Sequence, residues 1–300
     1  MAFVKKRSCR VSSNEQRRRE SMKQLERELS RRDRNEKLKP LGVVVTTLAI
    51  LLVIVGGIWW LTTLGTKSED NQAQKSSTQP QPVALTAQPV PGDKIPMKRA
   101  EALPATVTCD YPDDGQAAKT VEKPKTADVP TTGTVTVTLK TNQGDIPMEL
   151  DRSLSPCGVN AIETLAKTGY YNDTICHRIT SGGLNVLQCG DPTGNGTGGP
   201  GFKFAGEWPV KDANLDANKP LVYPKGSIAM ANPNNPDANG SQFFLNWADS
   251  QLPPQYTILG SMTDEGTKTV VGITKNGIEG GGTSDGKPAK EVRITKAEVK

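Results

Sequence analysis

The chain has 300 residues with 37 Lys/Arg and 32 Asp/Glu, enough length for two average domains but a composition too uneven to treat as one block. Its net charge of +5 belongs to one end: residues 1–40 hold 14 Lys/Arg and 6 Asp/Glu, so the remainder is slightly acidic, and a nucleic-acid role is not what the basic balance implies. A single histidine, His177, no GxSxG elbow and dispersed cysteines argue against hydrolase chemistry and leave no zinc-ligand set.

In chain order, residues 14–39 are rich in Arg, Glu and Leu, with pairs such as Glu15 and Arg19 four apart, which suits a solvated helix. The plain reading is a topology-setting basic tail; contact with anionic lipid headgroups is the alternative. Residues 41–65 carry no charge and are long enough as a helix to cross roughly 30 Å of hydrocarbon, so one transmembrane helix is expected there. Trp59 and Trp60 near its far end and the Lys/Arg excess before it place the N-terminus in the cytoplasm and everything beyond residue 65 outside. About 40 residues precede the apolar run, unlike a cleaved signal peptide.

Residues 66–130 are expected to be a mostly disordered extracytoplasmic linker. Up to residue 104 they are dominated by Gln, Pro, Ser, Thr and Ala, and 105–130 are a transition with a short strand-like stretch and a PDDG turn. The folded domain is expected over 131–300. Val135, Val137 and Leu139 alternate in TVTVTLK, the pattern of a half-buried strand, and Gln143-Gly144-Asp145 turns the chain into a second. Ser155-Pro156 reads as a helix start, with Val159, Ile162, Leu165 and Ala166 at helical spacing and Gly169 beyond. Short β-type segments separated by Gly, Pro and Asn follow, then a second helix near 265–275 and a closing strand in EVRITKAEV. The expected architecture is mainly β: a closed antiparallel β-barrel capped by two short helices.

Cys9 precedes the apolar run, whereas Cys109, Cys157, Cys176 and Cys189 follow it; an even number outside the membrane suggests two disulfides with three possible connectivities. The stretch GDPTGNGTGGPG resembles a phosphate-cradling loop only superficially, because no Gly-Lys-Ser/Thr follows, and no cofactor or metal is expected.

Four stretches, YYNDTICHRIT (170–180), VLQCGDPTGNGTGGPGF (186–202), GSIAMANPNNPDANGSQFFLN (226–246) and QLPPQYTILGSM (251–262), resemble the signature blocks of cyclophilins in order and approximate spacing. The resemblance covers residues 131–300 and implies a peptidyl-prolyl cis/trans isomerase. It assigns Arg178 as the catalytic arginine, Gln188 as the glutamine that orients it, and Phe244 as the floor of a proline pocket. Val186 and Leu252 would be walls, Asn232 and Gln242 would border the peptide groove, and Tyr256 stands where many members have histidine.

The resemblance also places Cys176 and Cys189 on neighbouring strands, implying a Cys176–Cys189 bridge and, with it, Cys109–Cys157. Gln251 replaces the tryptophan of cyclosporin-sensitive members, implying weak or no cyclosporin binding. An upstream pocket aromatic has no clear counterpart, Leu184 and Asn185 being the candidates. The expected partners are Xaa-Pro segments of exported polypeptides, with the membrane held through residues 41–65. The alternative is a membrane-tethered module that binds Pro-containing segments without significant catalysis.

Overall fold

The computed structural model describes residues 83–210 and 215–300. The basic tail and the transmembrane helix expected over 41–65 lie outside the described residues. Among those described, no helix is long and apolar enough to cross a membrane.

Two short strands, β1 (Thr106–Val107) and β2 (Val129–Pro130), pair ahead of the main sheet. The expected hairpin follows as β3 (Thr134–Thr141) and β4 (Gly144–Asp151), with Thr141 opposite Gly144. Val135, Val137 and Leu139 are buried as their alternation predicts. Helix α1 (Pro156–Lys167) buries Val159, Ile162, Leu165 and Ala166 against the sheet. Strands β5 (Thr174–Ile175), β6 (Arg178–Thr180), β7 (Val186–Cys189), β8 (Leu221–Tyr223), β9 (Ser227–Met230), β10 (Phe243–Asn246), β11 (Ser250–Leu252) and β12 (Ile258–Met262) follow. Helix α2 (Asp264–Thr274) starts on Thr263, whose Oγ1 accepts from the Gly266 amide at 3.2 Å. Strands β13 (Asp285–Gly286) and β14 (Arg293–Val299) complete the chain.

Ten strands form one antiparallel sheet in the order β13-β6-β7-β10-β9-β12-β4-β3-β14-β5, and β11 pairs with β8 separately. This corrects the expectation of a closed barrel. The sheet curls, but among the described residues no ladder joins its ends; they meet through the chain, with only Cys176 and His177 between β5 and β6, and through an isolated bridge between Ile175 and Asp191 just past β7. The two strands do not pair with each other as a hairpin: β5 pairs with β14 and β6 with β7.

The second correction concerns the linker. From residue 83 the segment expected to be disordered lies on the domain. Ile95 is 2% exposed, Tyr111 3% and Val129 1%; the Ile95 amide bonds the Val222 carbonyl and the Cys109 amide bonds that of Thr126. Tyr111 sits edge-on to Phe202 and Phe204, at 5.6 and 6.1 Å between centroids, and its hydroxyl donates to the Cys157 carbonyl. Low average hydrophobicity gave the wrong answer because a few well-spaced apolar anchors suffice when a preformed surface and a disulfide receive them.

The third correction is at the start of α1. Ser155 occupies the N-cap position but makes no capping bond; its hydroxyl donates to the Ile258 carbonyl at 2.7 Å. The amides of Cys157 and Gly158 instead reach the Glu207 carboxylate at 3.1 and 2.7 Å. A carboxylate from a distant loop thus satisfies the helix end.

Candidate active site

Side chains alternate across a strand, so residues in register on neighbouring strands share a face. Arg178 on β6 is opposite Gln188 on β7, Gln188 is opposite Phe244 on β10, and Phe244 is opposite Ala229 on β9. Register alone therefore sets a guanidinium, an amide and an aromatic ring in one row. The intervening residues Ile179, Leu187, Leu245 and Ile228 turn to the other face and enter the main core.

On the site face, Phe244, Val186, Ala229 and Ile258 form a second apolar cluster with Trp208 and Tyr223. Leu252 and Tyr256 pack on its margin, and the Phe244 ring meets Tyr256 edge-on at 5.6 Å and Tyr223 at 6.5 Å. Of the two candidates for the missing upstream aromatic, Leu184 packs against this cluster. Asn185 does not: its amide groups bond Ser250 and Asp249 and fix the turn before β11.

The polar row is continuous. Arg178 Nη1 donates to Gln188 Oε1 at 3.2 Å, Gln188 Nε2 donates to Gln242 Oε1 at 3.0 Å, and Gln242 Nε2 donates to the carbonyls of Gly196 and Gly198, each at 3.0 Å. The Gly-rich loop is held in turn by buried Asp191, which accepts from the amides of Thr193 and Gly196 at 2.7 and 2.6 Å. Each amide therefore has a defined orientation. Asn232 also lies here, donating to the Gln255 carbonyl at 3.0 Å.

Gly190 lets β7 approach β10: it has φ +95°, and a Cβ there would lie 2.3 Å from the Ser241 carbonyl oxygen. The expected disulfides are both present, Cys176–Cys189 and Cys109–Cys157. The first joins residues flanking the Arg178–Gln188 pair.

A cavity of about 470 Å³ adjoins the row. Gln188, Asn232 and Gln242 face it, over a floor that includes Phe202. Phe244, Val186, Leu252 and Tyr256 belong to the neighbouring apolar face, and neither they nor Arg178 line this cavity. One wall comes from the segment read as linker: Asp114 and Gln116 line the cavity because the Asp114 amide bonds the Gly201 carbonyl and Asp113 bridges to Phe202.

Sequence reasoning also missed Asp285 and Tyr223. Asp285 forks onto Arg178, with Nε to Oδ1 at 2.9 Å and Nη2 to Oδ2 at 2.7 Å, and this pairing holds its pKa below the usual carboxylate value. It is 107 residues away from Arg178 in a Gly-rich stretch with no periodicity to flag it. Tyr223 ends the apolar triplet LVY between two prolines, a strand signal that was present but unused. His177 is 8% exposed, and burial lowers its pKa, helped by the Arg178 charge and opposed by Asp191.

Fold and surface together define a β-sheet protein whose outer face sets an apolar, aromatic-lined seat beside a fixed guanidinium and a row of oriented amides. Residues 136–299 match the family model described as cyclophilin type peptidyl-prolyl cis-trans isomerase/CLD. The chain is 46% identical over 216 residues to a probable peptidyl-prolyl cis-trans isomerase B of Mycobacterium tuberculosis, covering 70% of this chain and 68% of that one. It is 48% identical over 196 residues to the protein of the same description in Mycobacterium leprae, covering 63% and 65%. A solved cyclophilin-type isomerase from Cryptosporidium parvum is 30% identical and covers 56% of this chain and 98% of its own, with a TM-score of 0.45. The chain belongs to the cyclophilin-type peptidyl-prolyl cis-trans isomerase family and is an enzyme of that class.

Proposed function

We propose that the enzyme accelerates isomerisation of Xaa-Pro bonds in exported polypeptides, with the proline ring seated against Phe244 and the Arg178 guanidinium donating to the prolyl nitrogen. The amide barrier is ~18–20 kcal/mol because the C–N partial double bond must be broken. Twisting that bond makes the nitrogen pyramidal and returns its lone pair. A permanently charged guanidinium donates to that lone pair without moving a proton, and does so only as the bond twists.

The observation that carries this reading is the cross-strand row Arg178–Gln188–Phe244, which puts the donor and the ring on one face of the sheet with Gln188 between them. Val186, Leu252 and Tyr256 complete the seat around the ring. Gln188, Gln242 and Asn232 offer polar groups to the peptide backbone on the other side of the rotating bond. Gln251, where an indole would favour cyclosporin, has its amide bonded to the Pro91 carbonyl at 2.6 Å.

The test is isomerisation of an Xaa-Pro peptide by the purified full-length protein and by Arg178→Ala. Loss of the donor is expected to lower kcat/KM by about 10²–10³-fold, the scale for removing one transition-state hydrogen bond. A variant that keeps the wild-type rate sinks the assignment of Arg178. Peptide binding with no acceleration by the wild-type protein favours the anchored binding module.

A further inference from the structure

We infer that Asp285 is a positioning residue for the isomerase: it clamps one edge of the Arg178 guanidinium so that the remaining N–H groups face the bound Xaa-Pro segment. The inference rests on the role proposed above for Arg178.

A guanidinium has five N–H donors in a rigid plane. In Arg178 the Nε and Nη2 edge is taken by the two Asp285 oxygens at 2.9 and 2.7 Å, and one Nη1 hydrogen goes to Gln188. Among the described residues this leaves two N–H groups, one on each terminal nitrogen. Two parallel charge-assisted bonds fix the plane of the group as well as its position, which a single acceptor does not do.

Asp285 is itself held by main-chain geometry. Strand β13 pairs with β6 in a register that puts Asp285 opposite Thr180 and Gly286 opposite Ile179. Just before it, the Ser181 amide and hydroxyl bond the carbonyls of Ser284 and Thr283, each at 2.8 Å. Beneath the loop, Ile278 is 2% exposed, and its neighbour Glu279 bonds the Lys287 carbonyl at 2.9 Å. The 276–292 segment therefore presents a carboxylate to the edge of Arg178 from a fixed strand.

The pair has 38% and 51% of its side-chain surfaces exposed, so it adds little to stability. Its effect is on geometry: without the clamp, a long side chain at the open margin of a sheet samples several rotamers, and the donor reaches the prolyl nitrogen in only some of them.

The experiment uses the full-length protein and the variants Asp285→Ala, Asp285→Glu, Arg178→Lys and Arg178→Lys with Asp285→Ala. It reads kcat and KM on an Xaa-Pro peptide and the NMR signal of the Arg178 Nε–H. Asp285→Ala is expected to lower kcat about tenfold with KM within about twofold, and to broaden the Nε–H signal while the amide spectrum stays folded. Asp285→Glu restores part of kcat. In the Arg178→Lys background, which has no fork to clamp, loss of Asp285 costs nothing further.

An unchanged or raised kcat in Asp285→Ala, a change in KM alone, or the same fractional loss in both backgrounds overturns the inference. Arg178→Lys at the wild-type rate overturns the Arg178 assignment itself and takes the clamp with it. A slow Arg178→Lys beside a fast Asp285→Ala overturns the clamp only.

Discussion

Glu207 is a carboxylate doing the work expected of a serine. Ser155 is in the right place to cap α1, yet its hydroxyl is used inward on Ile258, and Glu207 takes the helix amides. Burial raises its pKa to about 7, against the pull of the two amides and of Arg99. In the unfolded chain the same group ionises near 4.5. Between those values the unfolded state has lost its proton while the folded state still holds it, so stability falls as pH rises through the window and levels off above it. The full effect is up to about 3 kcal/mol. Denaturant midpoints measured from pH 4.5 to 7 should therefore decline more steeply for the wild-type protein than for Glu207→Gln, which has no proton to lose. Parallel slopes in the two proteins would show that Glu207 ionises normally in the fold.

The elements divide into those set by local pattern and those set by distant partners, and that division decides what the sequence made legible. The β3–β4 hairpin, α1, α2 and β14 carry their own periodicity and turn residues, and each forms close to where those signals place it. The site row was legible because Arg178, Gln188 and Phe244 sit in contiguous blocks whose order is specific. Asp285 was not, because its partner lies across the sheet, and neither was the docking of residues 83–130, whose anchors Ile95, Tyr111 and Val129 are too sparse for a hydrophobic pattern. The Cys109–Cys157 bridge ties this extension to α1. With a sequence separation of 48, its removal by Cys109→Ser with Cys157→Ser should cost ~4 kcal/mol on a chain-entropy estimate. Hydrogen exchange should locate the loss: the amides of Cys109, Asp114 and Ala118, bonded to Thr126, Gly201 and Gly199, should exchange early while β9 and β10 stay protected. Unchanged protection at those three amides would mean that Tyr111 and the backbone bonds hold the extension without the disulfide. In the expected case Asp114 and Gln116 also leave the cavity wall, so the same variant alters the groove beside Gln188.

At the scale of the whole molecule, the folded part of the chain is larger than the family match alone. The family model begins at residue 136, yet the match to the Mycobacterium tuberculosis relative runs for 216 residues, longer than the family span. In the described residues the sheet and the segment 83–130 pack as one body, through buried Ile95, Tyr111 and Val129 and the Cys109–Cys157 bridge. We propose that residues 41–65 span the membrane with the isomerase outside. The support is the charge-free run, the 14 Lys/Arg that precede it, and two disulfides in the described part, a cysteine usage that suits an oxidising compartment. The five cysteines supply their own topology probe, because Cys9 is the one outside the two bridges. A membrane-impermeant maleimide applied to intact cells should leave the protein unlabelled, and permeabilisation should then add one label per chain, at Cys9. Labelling of Cys9 in intact cells would invert the orientation.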